Sequence, residues 1–340
     1  IEAISSWGNY APTPLIKLNK LNDELKFKNI YYKDEDKRFE LKSFKALGGA
    51  FAVYKIASEK KDITVSTATA GNHGRSVAWG AKRLGLKCKI FISEFVSESR
   101  AEAMRNLDAE VIRVKGNYDN SLKECIEQSN KNNWEIVQDV SWEGYKEVPK
   151  LIMAGYTIMV KEIIDEIDKN SITHVFLQAG VGGMAAAMIA GFAKLSENIP
   201  QFIIIEPENA DCVFQSIKNN KPTTVDIKKE TVMGGMSCGD VSSIAWEILK
   251  NSANYCLTIP DEAISTAVAL LAEKRLSNEK IIGGECAVPG VIALIGSFNN
   301  KEYLDKLKLN SESNVLLFGC EGLTDEAMYQ KLLGDGLQKI

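Results

Sequence analysis

The chain has 340 residues, 45% hydrophobic and 25% charged, with 41 basic against 45 acidic side chains for a formal charge of −4. That length suits two domains or one large α/β unit with an inserted lobe. The near balance of charge, with lysines spread along the chain, gives no basic stripe for a nucleic acid, and no apolar run approaches the ~20 residues of a bilayer span.

The seven cysteines are odd in number, scattered and never in CxxC or CxxH spacing, and the only histidines are His73 and His174. Neither a disulfide framework nor a metal centre is expected, and the compartment is expected to be reducing, hence cytoplasmic. The N-terminus lacks a secretory pattern; residues preceding Ile1 are left open.

In chain order, "DITVSTAT" reads as a strand ahead of the helical "GRSVAWGAKRLG". There follow "KCKIFIS" (strand), "SESRAEAMRNLD" (helix), "AEVIRV" and "WEIVQDV" (strands). A second series runs from "THVFLQAG" through the turn "GVGG" to the helical "MAAAMIAGFAKL", then "FIIIEPE", and late in the chain "NVLLFGCEG". This rhythm predicts βαβ units: an α/β fold of two domains, each a mostly parallel twisted sheet covered by helices, with the site in the cleft between them. There is no internal repeat and no long Gly/Ser/Pro linker.

Three stretches carry chemistry. Lys45 lies in the apolar run of "SFKALGGA", where its ammonium either snorkels or, desolvated, becomes a nucleophilic amine able to condense with an aldehyde. "GNHG" (71–74) opens from a strand into a helix; Asn72 either presents its amide to a ligand beside a nest of backbone N–H groups or simply caps the helix. "AGVGGM" (179–184) joins a strand to a helix as a phosphate cradle or a plain tight turn. It is not GxGxxG and has no Walker lysine. One cofactor wants a lysine for its aldehyde, a glycine loop for its phosphate and a partner for its ring nitrogen, namely pyridoxal phosphate.

In that order, "SFKALGGA", "GNHG" and the GxGG loop resemble the fold-type II pyridoxal-phosphate enzymes related to the tryptophan synthase β-subunit and threonine dehydratase. Within that group the chain is most similar to the diaminopropionate ammonia-lyases, through "YAPTPLIKL", "RFELKSFKALGGAF", "TATAGNHGRSVAWGAKRLG", "VQDVSWEGYKEVPKLIMAGY", "VMGGMSCGD" and "CEGLTDEA". The resemblance implies a large cofactor-binding domain of residues 1–55 and 151–340, a small mobile substrate-side domain of residues 56–150, and a homodimer. It implies Lys45 as the Schiff-base lysine, Phe44 packed on the cofactor ring, and Asn72 on the pyridoxal 3′-oxygen. Gly180, Val181, Gly182, Gly183 and Met184 would give amides to the phosphate, Cys320 would lie beside the pyridine nitrogen, and Glu285 near the cofactor. Thr69, Ala70, Gly71 and His73 would surround the substrate, and Asp139 would serve as a second catalytic group and pair with a distal ammonium. From the residues alone, Cys320 reads equally as a small buried hydrophobe, Asp139 as a cap and Glu285 as a surface acid. The chain departs from the ammonia-lyase pattern at Ala70, where "TATDGNHG" carries the aspartate associated with proton removal from the D-isomer. The implied activity is β-elimination from a small amino acid, L-2,3-diaminopropionate, to pyruvate and ammonia. A serine, threonine or 3-hydroxyaspartate dehydratase and a β-replacement synthase are the alternatives.

Overall fold

The structure, a computed structural model, describes residues 1–168 and 170–340. In chain order its strands are β1 (Leu15–Lys17), β2 (Asn29–Asp34), β3 (Thr64–Ala68), β4 (Lys87–Ser93), β5 (Glu110–Val114), β6 (Glu135–Ile136), β7 (His174–Gln178), β8 (Gln201–Pro207), β9 (Tyr255–Ile259) and β10 (Asn314–Gly319). Two compact units emerge: Ile1–Ala11 with Ser43–Ile158, and Pro12–Lys42 with Met159–Ile340.

The first unit holds a sheet in the order β5-β4-β3-β6, every pair parallel. Helix Lys45–Glu59 belongs to this unit, so its bounds differ from a division after residue 55. The reason is close packing on helix Asn72–Arg83: a Cβ on Gly80 would stand 2.7 Å from the Ala50 Cα, and one on Gly49 would collide with the Ser76 hydroxyl. Small residues at both positions let the two backbones approach. "WEIVQDV" pairs only over Glu135–Ile136. Beyond it the Val137 N–H still reaches Ser66 O at 2.8 Å, and then the Gln138 carboxamide stands in for a peptide: Oε1 accepts from Ala68 N at 3.1 Å while Nε2 donates to Ala68 O at 3.0 Å.

The second unit holds a sheet in the order β1-β2-β10-β7-β8-β9, parallel throughout except at the β1–β2 edge. β7 and β10 are buried along their whole length, which is why both read as unbroken apolar runs. The expected α/β architecture of two mostly parallel sheets with covering helices is therefore present. Strands β1, β2 and β9 are not legible as such in the sequence. Among the described residues no helix is long and apolar enough to cross a membrane.

Candidate active site

Lys45 opens the helix Lys45–Glu59, with Phe44 at its N-cap. Its side chain neither snorkels away nor stands alone: Nζ forms an ion pair with Asp139 Oδ2, the two side chains being 23% and 16% exposed. The glycines after it have a steric reason, since a Cβ on Gly48 would lie 2.4 Å from Tyr156 Cε1. Tyr156 also packs edge-on against Phe44, ring centroids 4.7 Å apart. Burial raises the Tyr156 hydroxyl well above its ordinary range, although the Lys45 charge acts against it. Asp139 is positioned through the residue before it. The neighbouring Gln138 is clamped to Ala68, and its N–H donates at 2.8 Å to the Tyr145 hydroxyl, which in turn donates to Ile136 O at 2.8 Å.

The "GNHG" loop follows β3. The Thr69 hydroxyl accepts from the N–H groups of Gly71 at 3.0 Å and Gly74 at 3.2 Å, so it organises the loop from within. Asn72 is the first residue of helix Asn72–Arg83. The Ala70 carbonyl accepts from Arg100 Nη1 at 3.4 Å. His73 is buried, with Nε2 2.7 Å from Val137 O and Nδ1 3.7 Å from Asp139 Oδ2. Desolvation pushes its imidazole below the usual histidine range; Lys45 acts the same way and Asp139 against it. Burial pushes the Asp139 carboxyl up, but the charges of His73 and Lys45 outweigh this and hold it well below the usual carboxylate range. At neutral pH this cluster is therefore an ammonium–carboxylate pair beside a neutral imidazole.

In the second unit, the loop after β7 leads into helix Gly183–Leu195, whose N-cap Gly182 has φ +88°. Helix geometry leaves the leading amides without intrahelical acceptors. A Cβ on Gly182 would come within 2.8 Å of Leu249 Cδ1, and one on Gly180 within 3.0 Å of both Cys238 Sγ and Gly235 O. The left-handed backbone favours glycine at 182 and the space at 180 is tight, so Gly180 to Met184 lead closely into the helix start. After β10, the buried Cys320 donates its thiol hydrogen to Cys286 O at 3.0 Å. Gln178 donates to that same carbonyl at 2.9 Å and to Phe318 O at 2.7 Å, tying the end of β7 to β10 and to the segment around Cys286. Glu285 is buried here, not a surface acid, and its carboxylate lies within 4.8 Å of the Cys286 sulfur and the Glu321 carboxylate.

The structure thus gathers Phe44, Lys45, Thr69, Ala70, Gly71, Asn72, His73 and Asp139 within one unit, and Gly180–Met184, Glu285 and Cys320 within the other. Sequence patterns did not single out Gln138, Tyr145, Tyr156 and Gln178, whose only signal is a polar or aromatic residue in an otherwise apolar run. The residues fit pyridoxal phosphate. Amide donors at a helix N-terminus suit its phosphate, and an amine beside a carboxylate suits its aldehyde. The Cys320 thiol would turn from Cys286 O to meet its ring nitrogen.

The family model described as pyridoxal-phosphate dependent enzyme matches residues 7–320. The diaminopropionate ammonia-lyase of Escherichia coli (strain K12) is 34% identical over 357 residues, spanning 98% of this chain and 90% of the relative. A crystal structure of the Escherichia coli enzyme with an aminoacrylate–pyridoxal phosphate azomethine intermediate matches with a TM-score of 0.90 and 33% identity, over 97% of this chain and 89% of that one. A second structure of that enzyme, in complex with D-serine, matches with the same TM-score and identity.

Proposed function

Because this chain belongs to the pyridoxal-phosphate dependent enzyme family, and within it is a β-eliminating lyase, we propose that its substrate is L-2,3-diaminopropionate, which it converts to pyruvate and ammonia. The observation that carries this reading is the Asp139 carboxylate on the Lys45 ammonium. A carboxylate so placed needs a cation. When the Lys45 nitrogen is engaged with the cofactor, the β-ammonium of diaminopropionate supplies that cation, whereas the β-hydroxyl of serine or threonine does not. The name and 34% identity of the Escherichia coli relative support the same substrate.

In this reading Lys45 holds the cofactor's aldehyde and, once freed, takes the Cα proton; Asp139 orients the leaving amine. Asn72 would bond the 3′-oxygen, Phe44 would pack on the ring and Cys320 would meet the ring nitrogen. The amides of Gly180, Val181, Gly182, Gly183 and Met184 would hold the phosphate, with Glu285 near the cofactor. Thr69, Ala70, Gly71 and His73 would border the substrate. When bound, the cofactor supplies the electron sink that makes the Cα proton acidic.

The test is a steady-state panel of β-substituted L- and D-amino acids, with oxo acid and ammonia both measured. L-Diaminopropionate is expected to give the highest kcat/KM, with no need for an added thiol or amine. Faster turnover of serine, threonine or 3-hydroxyaspartate would overturn the substrate assignment in favour of a dehydratase. Product formation only with an added nucleophile would overturn it in favour of a β-replacement synthase.

A further inference from the structure

The imidazole of His73 is oriented without ambiguity by its backbone contact. A carbonyl oxygen only accepts, so Nε2, 2.7 Å from Val137 O, carries a hydrogen. In the neutral ring Nδ1 is then a bare lone pair, buried, with no hydrogen-bond partner among the described residues. It faces the Asp139 carboxylate at 3.7 Å. Two acceptors pointing at one another are mismatched by one proton, and Asp139 is already in contact with a proton donor, the Lys45 ammonium. The three groups therefore form a line, Nζ to Oδ2 to Nδ1, that has room for a proton at its far end.

We propose that Lys45, Asp139 and His73 form a proton relay in which His73 Nδ1 receives the proton that Lys45 must shed before its nitrogen is a nucleophile again. The inference rests on the reading of Lys45 as the amine that takes the Cα proton. In the elimination the Cα–H bond breaks, its electron pair forms the new Cα=Cβ bond, and the Cβ–N bond breaks with its own pair, so the β-ammonium departs as ammonia. Lys45 is left as an ammonium. It hands its proton to Asp139 Oδ2, and from there the proton moves to Nδ1, the remaining gap closing to the ~2.6–3.2 Å of a working hydrogen bond by a shift of the Asp139 side chain or through one water. The proton returns through Asp139 to water at product release, while the enamine product takes a proton from water at its former β-carbon. His73 touches no reacting atom and acts through Asp139, so it is a positioning residue.

The groups facing His73 are Asp139 from the loop after β6 and Lys45 from its helix; the Tyr145 and Tyr156 hydroxyls flank Asp139, and Arg100 lies at the Ala70 carbonyl. The chain has only two histidines. Labelling with [15N]histidine therefore gives two ring-nitrogen signals per residue. His174, with Nε2 2.8 Å from Leu307 O, serves as the internal reference.

In the cofactor-loaded full chain, His73 Nε2 is expected to stay protonated throughout, while Nδ1 takes up its proton only below the usual histidine range. Asp139→Asn removes the charge that favours the imidazolium, so the Nδ1 midpoint is expected to fall by about one unit, tenfold in the constant, with His174 unmoved. A bare Nε2, or a midpoint indifferent to Asp139→Asn, overturns the relay. These measurements need no substrate, so they are decided separately from the substrate panel. In a second arm, His73→Gln keeps a donor for Val137 O but cannot hold a second proton. It is expected to lower kcat about 10²-fold and to flatten one limb of the kcat–pH profile, while the cofactor's absorbance is retained. An unchanged kcat profile overturns the proposal.

Discussion

Ala70 stands where the ammonia-lyase pattern carries an aspartate, and the surrounding geometry gives that single difference a consequence. A general base must lie within about 3 Å of the proton it removes, and inverting Cα turns that proton to the opposite face. As the proposed base, Lys45 would serve one face, and Asp139 is ion-paired with Lys45 itself. The enzyme is therefore expected to turn over L-diaminopropionate and to leave the D-isomer nearly untouched, measured as pyruvate release from each isomer. Ala70→Asp is expected to restore D-turnover, because Arg100, 3.4 Å from the Ala70 carbonyl, would hold the new carboxylate ionised. The L-reaction should slow, through repulsion of the substrate carboxylate. Comparable turnover of both isomers by the unchanged protein would refute the stereochemical argument.

At the scale of single elements, two helix starts of the second unit each depend on one residue. Gly182→Ala puts a side chain on a left-handed residue, costing ~1–2 kcal/mol, and drives a methyl against Leu249 and Ala245. The helix start must shift, and the dissociation constant for pyridoxal phosphate is expected to rise at least tenfold by equilibrium dialysis. Unaltered cofactor affinity would make this loop a plain turn. The neighbouring helix Cys212–Lys218 is anchored by Glu206 at the end of β8, whose carboxylate accepts from Val213 N at 2.8 Å and Phe214 N at 2.7 Å. Burial outweighs those two amides and pushes the carboxyl up to about 8. A carboxyl raised above its unfolded value of ~4.3 contributes stability in full below that value and loses it as pH rises through the folded one. Urea midpoints are therefore expected to decline between about pH 5 and pH 8, and Glu206→Gln should flatten that decline. An equally steep decline in the variant would place the titrating group elsewhere.

At the scale of the whole molecule, the second unit is held by a buried ionic network. Arg38 donates Nε to Glu35 at 2.8 Å, Nη1 to Glu162 at 2.8 Å and Nη2 to both carboxylates; Lys33 pairs with Glu162 at 2.7 Å, and the Thr13 hydroxyl donates to Glu35 at 2.6 Å. Two cations face two carboxylates, and all four side chains are almost fully buried. Removing one cation leaves an uncompensated buried charge, so Arg38→Met is expected to lower unfolding free energy by about 3–5 kcal/mol, read from denaturant midpoints. Against the desolvation that pushes it up, Glu162 is held below its ordinary value by Arg38 and Lys33. Its share of the stability is present above the unfolded carboxyl value and lost as pH falls through the folded one. Loss of less than about 1 kcal/mol in Arg38→Met would mean that the network contributes little beyond packing.

Local properties of the chain are legible in the order of its residues. The strand-to-helix turns at "GNHG" and "GVGG", the apolar runs of β4, β7, β8 and β10, and a lysine ahead of a glycine pair all follow from backbone preference and burial acting over a few residues. These are enough to indicate the α/β class and the cofactor. What they do not specify is which distant groups meet. Asp139 lies 94 residues from Lys45, and Glu162 lies 124 from Arg38. Each pairing depends on sheet order, and the order β5-β4-β3-β6, which sets the loop after β6 beside the loop after β3, leaves no trace in local periodicity. Tertiary structure alone decided that Lys45 is paired, that His73 turns its bare nitrogen toward Asp139, and that Glu285 is buried, because a charge's partner and its desolvation are set by whatever the folded chain packs around it.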